Sequence, residues 1–242
     1  MDGLFAFALD ETSLGGGYEA YKRLPDPLCR FLDRLAGHHR KWAINTARAL
    51  DDQWKLVCES PVSSRPPCLI SEFGRRMATP NRQGGIDPVA DYEAGYADLL
   101  ERVCREKKIR PLLAWAMLDL PVIDMAYYGH PSSVRLYEDE KNERLLRAFL
   151  EPWRGDGDLE LSLNAHGFSV RPSAIHKGLG VEGAARFFGI ERERIVAAGD
   201  SLPDIAMMKA AGWAVCPQYA DDCVIRFLSG NPHGAIGEGL CC

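Results

Sequence analysis

The sequence has no long apolar run, no block of basic residues and no cysteine pair at metal-binding spacing. Each absence removes a class of function. Without a long apolar run, no membrane-spanning helix is expected. Lys and Arg number 29 against 34 Asp and Glu, giving a net charge of -5. A nucleic-acid partner is therefore not expected. The one short basic stretch, His38 to Lys41, reads as a solvated loop before a strand, with phosphate steering the lesser reading. Eight cysteines are scattered (Cys29, Cys58, Cys68, Cys104, Cys216, Cys223, Cys241 and Cys242), with no CxxC and no Cys/His cluster at zinc spacing. They read as reduced thiols of a cytoplasmic protein. The Cys-Cys end is read as a frayed tail rather than a lipid acceptor. LFAFAL, from Leu4, is too short for a signal core and lacks a basic flank, so no signal peptide is expected. Internal repeats and low-complexity segments are also missing.

What remains is an ordinary globular composition, 46% hydrophobic and 26% charged over 242 residues, enough for one large domain or a core with an insertion. Leu4 to Leu9 is continuously apolar, as in a strand buried on both faces. Asp26-Pro27 precedes Leu28, Phe31, Leu32 and Leu35 at helical spacing, and Gly37 is the expected stop. Trp42 to Ile44 is a second short apolar run, ending in Asn45-Thr46, where a second helix is expected to begin. CLISEF, from Cys68, is a third. Strand, helix, strand, helix, strand predicts an α/β unit with a parallel sheet.

The middle of the chain changes character. TPNRQGG, Thr79 to Gly85, reads as a loop. Asp87 to Lys108 has helical spacing, Val134 to Tyr137 reads as a strand, and Asn142 to Trp153 as a helix. Leu159 to Val170 alternates around a turn at Asn164 to Gly167, predicting a hairpin. Residues 79–172 are therefore expected to form an inserted α+β cap, with 1–78 and 173–242 as the core. The α/β grammar resumes with a helix over Lys177 to Gly189, a strand over Arg194 to Ala198, a helix over Pro203 to Ala211 and a strand over Trp213 to Val215. The expected fold class is α/β, a Rossmann-like parallel-sheet core with an inserted α+β cap.

Ligands bind beyond the carboxyl ends of the strands in open α/β sheets. Those ends carry Asp10, Thr12, Thr46, Asp200 and Asp204, with Lys177 on the helix before the fourth strand. Each has a plain alternative. Thr46 would serve as a helix N-cap, Asp204 suits a first helical turn, Asp10 could satisfy a turn, and Lys177 alone would be a surface lysine. Together, acids, hydroxyls and an amine suit a Mg²⁺-dependent phosphate site.

The wording of these pieces resembles the haloacid dehalogenase (HAD) superfamily, in its Cof-type sugar-phosphatase branch. VAAGDSLPDIAMMKAAG, Val196 to Gly212, is similar to that family's metal-binding motif, and IHKGLGVEGAARFFGI, Ile175 to Ile190, to its lysine motif. KWAINTARAL resembles the hydroxyl motif, and CLISEFG the strand and loop leading into the cap. The resemblance implies a chemistry. An aspartate ending the first strand attacks phosphorus and forms an aspartyl-phosphate. A second acid two residues later protonates the leaving oxygen and then activates water. On this sequence, Thr12, Thr46 and Lys177 match the phosphate ligands. Asp200 matches the metal ligand, Asp204 the outer-sphere or second acid, and Asp10 a carbonyl ligand of Mg²⁺ and the acid/base. The implied ligand is a small phosphorylated metabolite, such as a sugar phosphate.

The same overlay puts Ala8 at the nucleophile position, and Glu11 where glycine is common. A methyl group cannot attack phosphorus. A second register makes Asp10 the nucleophile and Thr12 the residue two later, but it leaves Leu14 where the family has threonine. Ala8 then has three readings: a natural loss giving a pseudophosphatase that binds ligands, an engineered substitution, or residual hydrolysis through Asp10 or a metal-bound water. His130, Trp153, His166 and Arg171 are candidates for substrate contact, with core or surface packing the favoured reading for each. Gly15-Gly16-Gly17 is not a GxGxxG fingerprint and reads as a mobile loop near the site.

Overall fold

The computed structural model describes residues 2–10, 12–14, 23–94, 96, 101–102, 122–127, 131–136, 144, 148, 151, 155, 157–164 and 167–237. Glu11, Gly15 to Gly17, Cys104, His130, Trp153, His166 and the Cys-Cys end lie outside them, as does most of the helix expected over Asn142 to Trp153 and the latter part of that expected over Asp87 to Lys108. The chain divides into two compact units, Met1–Glu93 with His176–Cys242, and Ala94–Ile175.

The first unit is built on five parallel strands: β1 (Leu4–Phe7), β2 (Lys41–Ile44), β10 (Ile195–Ala198), β11 (Trp213–Pro217) and β12 (Gly234–Gly237). Their order is β12-β11-β10-β1-β2. β1 is central, with Leu4 opposite Lys41 on one side and Ile195 on the other. The parallel α/β core expected from the sequence is therefore present.

The apolar run of β1 serves two cores because successive side chains point to opposite faces. Leu4, Ala6 and Ala8 join one buried cluster with Ala43, Ala197 and Ala214. Phe5, Phe7 and Leu9 join the other with Trp42 and Ile44. The first face is floored by small residues, the second by large ones. Helices α1 (Asp26–Gly37) and α2 (Leu50–Glu59) cover the large-residue face through Leu28, Leu32, Leu56 and Val57. Helices α3 (Lys177–Phe188) and α4 (Asp204–Ala210) cover the other through Val181, Ala184, Met207 and Met208. Phe7 and Trp42 are fully buried, each worth up to about 3 kcal/mol of apolar burial.

Close approach explains the glycines of α3. A Cβ on Gly180 would stand 2.3 Å from Ile70 Cγ2, and one on Gly183 2.2 Å from the Tyr92 ring. The helix stops at Gly189, which takes the left-handed conformation (φ 62°) that a helix C-terminus favours.

Several local expectations change. The second helix begins at Leu50, four residues beyond Thr46, so Thr46 is not an N-cap; Ala49 holds that place without a side-chain bond. The run from Cys68 gives β3 (Leu69–Ser71), which joins the parallel sheet only by one bridge, Asn45 to Ile70. Its ladder is antiparallel, with β4 (Arg76–Pro80) and then β5 (Ile86–Pro88). TPNRQGG is thus partly strand, and its loop is the Asn81–Gly85 turn of that hairpin, closed by Asn81 N–H donating to Gly85 O at 2.9 Å. Beyond Val215 the chain adds α5 (Asp222–Ser229) and edge strand β12, neither evident from the sequence pattern.

The second unit holds an antiparallel sheet of β6 (Val122–Tyr127), β7 (Pro131–Leu136), β8 (Leu159–Asn164) and β9 (Gly167–Pro172), in the order β6-β7-β9-β8. The hairpin expected over Leu159 to Val170 is present, with Asn164 opposite Gly167 at its turn. Arg171 is buried and paired across the strands with Glu160 at 2.9 Å.

Candidate active site

Strand β1 ends at Phe7, and the chain turns at once. Ala8 N–H still donates to Ala198 O at 2.8 Å, and Ser13 Oγ donates to Ala8 O at 2.7 Å. Thr12 N–H closes on Asp10 O at 2.6 Å. At this tight turn the apolar strand gives way to polar residues. The turn folds Thr12 back into the interior, where only 1% of its surface is exposed.

Four of the polar residues named from the sequence, Thr12, Lys177, Asp200 and Asp204, are brought together. The Thr12 hydroxyl donates to Asp200 Oδ1. Lys177 Nζ donates to Asp204 Oδ1 at 2.5 Å. The other oxygen of Asp204 accepts from Asp200 N–H and Ser201 N–H, both at 3.1 Å, and from Ser201 Oγ at 3.0 Å. Asp204 is fully buried, Asp200 and Lys177 nearly so. A buried carboxylate survives only when its charge is matched, and here an ammonium and three further donors match it. Gly199 permits the arrangement, since a Cβ there would stand 2.3 Å from Asp204 Cβ. Burial, followed by the Asp200 carboxylate, pushes the neighbouring Cys216 thiol up.

Thr46 is buried, with its Oγ1 accepting Arg48 N–H at 3.3 Å. Asp10 differs from the rest. Its side chain is 52% exposed and lies in a two-point ion pair with Arg48, whose Nε donates to Oδ2 at 3.1 Å. Arg48 was not singled out from the sequence, although it stands two residues beyond Thr46. Asn45 was also missed. Its Nδ2 donates to Lys177 O at 2.8 Å, tying the end of β2 to the first residue of α3. That bond links the hydroxyl and lysine segments directly. Of the substrate-contact candidates, Arg171 lies in the second unit, paired with Glu160.

Behind Thr46, the loop after β3 is strained. Glu72 and Phe73 both take positive φ, 51° and 59°. Glu72 N–H donates to Arg48 O at 3.3 Å and Phe73 N–H to Thr46 O at 3.2 Å. Two consecutive left-handed non-glycine residues cost on the order of 1–3 kcal/mol each. They hold the backbone of the Thr46–Arg48 turn from behind.

Residues 157–228 match the model of the haloacid dehalogenase-like hydrolase family. Phosphoglycolate phosphatase of Methanosarcina mazei is 30% identical over 82 residues, 34% of this chain and 36% of that protein. The match thus spans little more than a third of that relative's length. Phosphoglycolate phosphatase of Methanopyrus kandleri is 26% identical over 172 residues, 71% of this chain and 68% of that one. Among solved structures, the sucrose-phosphatase of Synechocystis sp. PCC6803, in complex with sucrose and phosphate, is similar with a TM-score of 0.68 at 13% identity. It covers 99% of this chain and 93% of its own. A haloacid dehalogenase-like hydrolase of Bacillus subtilis gives a TM-score of 0.61 at 20% identity, over 98% and 95%. Residues 157–228 are thus similar to haloacid dehalogenase-like hydrolases, and the fold of the chain to those solved structures.

Proposed function

We propose that the chain is a phosphatase scaffold that binds a small phosphorylated metabolite and, with Ala8 at the nucleophile position, turns it over slowly or not at all. The observation that carries this reading is the buried web of Thr12, Lys177, Asp200 and Asp204 at the carboxyl ends of β1 and β10. Phosphoryl transfer is catalysed mostly by positioning and charge neutralisation, and this web supplies both. Thr46 and Lys177 hold phosphate oxygens. Asp204 orients Lys177 and fixes the Asp200–Ser201 backbone. Asp10 is the acid/base, held by Arg48 until a ligand competes for the guanidinium. The second unit, inserted between β5 and α3, is the cap that selects the leaving group. The relatives named phosphoglycolate phosphatase and sucrose-phosphatase support a small phosphate ester as the ligand class.

The residues present fit Mg²⁺ narrowly. Among the described residues, no group of three or more His, Cys, Asp or Glu side chains could hold a metal. Asp200 is a buried site carboxylate whose Oδ1 accepts the Thr12 hydroxyl. Mg²⁺ commonly binds through one or two carboxylates together with substrate phosphate and water. Asp200 and the Asp10 carbonyl therefore suit an ion that arrives with the phosphate. When bound, it would offset phosphoryl charge.

Ala8 is the reason for slow turnover. It points to the small-residue face of the sheet with Ala6, the face covered by α3 and α4, which bear Lys177 and Asp204. An aspartate there would project toward that same side. The alternative reading, a pseudophosphatase that senses a phosphorylated ligand, is favoured by the same residue. A panel of sugar phosphates and phosphoglycolate with Mg²⁺ separates the readings. Ala8→Asp should raise turnover by at least about three orders of magnitude. Equal rates in the two proteins would overturn the assignment of position 8. Tight binding without turnover, even in Ala8→Asp, would favour the sensor.

A further inference from the structure

The opposite end of the sheet carries a second polar constellation that the function above does not use. A cavity of about 400 Å³ opens where β1 and β2 begin, lined in part by Asp2, His39, Arg40, Lys41 and Arg65. It lies roughly 13 Å from the carboxyl ends, four residues at about 3.3 Å each. Three full positive charges face one carboxylate, in a chain whose net charge is -5.

Two of the three cations, Lys41 and Arg65, are held by contacts. Lys41 Nζ donates to Asp2 at 3.3 Å and sits 5.5 Å from the Phe188 ring centre. Arg40 lies along the start of β1, where a Cβ on Gly3 would stand 2.8 Å from its Nη1. Among the described residues its guanidinium has no hydrogen-bonding or ionic partner. Arg65 stands 5.7 Å from the Trp54 ring centre, with one bond to Val57 O at 3.4 Å. His39 turns the chain into the cavity wall with φ 56°, at a position after a helix that normally takes glycine or asparagine. Strain of this kind concentrates where a ligand is held.

A helix C-terminus favours nearby cations, and α1 ends at Gly37. That accounts for basic residues at 38–40. It does not account for Arg65, which arrives from the segment before β3. We propose that this cavity is a second anion site, for a compact soluble phosphate ester or oligophosphate. Guanidinium groups pair with phosphate oxygens two at a time, and two arginines with one lysine suit a ligand of charge -2 or more. The proposal stands apart from the phosphatase reading.

Pyrophosphate is the probe, titrated by calorimetry at constant ionic strength in EDTA. Saturable binding is expected, and Arg40→Ser and Arg65→Ser should each weaken it about tenfold or remove one of two sites. Both residues are exposed, and an unchanged melting temperature checks that each variant folds. The proposal falls if pyrophosphate does not bind. It also falls if affinity and stoichiometry are the same in both folded variants, because the binding then belongs to the pocket at the other end of the sheet.

Discussion

The two ends of the five-stranded sheet both collect charge, and they treat it differently. At the carboxyl ends, Lys177, Asp200 and Asp204 are nearly or fully buried and hydrogen-bonded to one another's segments. At the amino ends, His39, Arg40 and Arg65 are exposed, and Arg40 has no ionic partner among the described residues. The physical reason is the cost of desolvation. A charge taken out of water must be matched nearby, whereas an exposed one is screened by solvent and needs no partner. Buried charge therefore fixes geometry, and exposed charge is free to meet a ligand.

This contrast can be tested from its largest consequence downward. The gain of turnover in Ala8→Asp comes first. Next is Asp204→Ala, which strands the Lys177 ammonium and three donors in the interior. It should destabilise the first unit by about 3–5 kcal/mol, read by urea unfolding. A loss below about 1 kcal/mol would mean that water already reaches this group. The interior between the two ends makes a third test. Burial pushes the Cys68 thiol up to about 12 from its ordinary 9.0. The folded chain keeps its proton after the unfolded chain has lost it. Stability from this group is thus complete below about pH 9 and declines as pH rises from there to about 12. Below pH 9, a thiol reagent should modify the exposed Cys58 and leave Cys68 intact until the protein unfolds. The smallest effect belongs to the amino end. His39→Gly relieves a left-handed residue and should stabilise by about 0.5–1 kcal/mol, seen as a modest rise in melting temperature. A drop instead would show that the His39 side chain itself supports the fold.

Where side-chain alternation or motif spacing decides the outcome, the sequence was a good guide. The buried run of β1, the limits of α3 and the β8–β9 hairpin all follow from local pattern. The contacts of Thr12 with Asp200 and of Lys177 with Asp204 fit the same pattern, because strand ends share one edge of a parallel sheet; Thr46 is seen beside Arg48 instead. Other features depend on partners distant in sequence. Arg48 looks like any arginine at a helix start until Asp10 is placed beside it. Asn45 is an unremarkable polar residue until α3 arrives to accept its amide. The antiparallel pairing of β3 was hidden because a short apolar run carries no mark of strand direction. Strand β12 was hidden because Gly234–Gly237 has none of the β-branched run that signals a strand.

The glycines of α3 have a last consequence. In a helix interior each costs about 1 kcal/mol relative to alanine, so a peptide of this sequence would scarcely be helical by itself. The helix gains its order by docking against Ile70 and Tyr92, contacts that only glycine allows. Lys177, its first residue, therefore cannot be in position while the sheet is unformed. Affinity for a phosphorylated ligand should vanish along the same denaturant curve as the core itself, leaving no partly unfolded state that still binds.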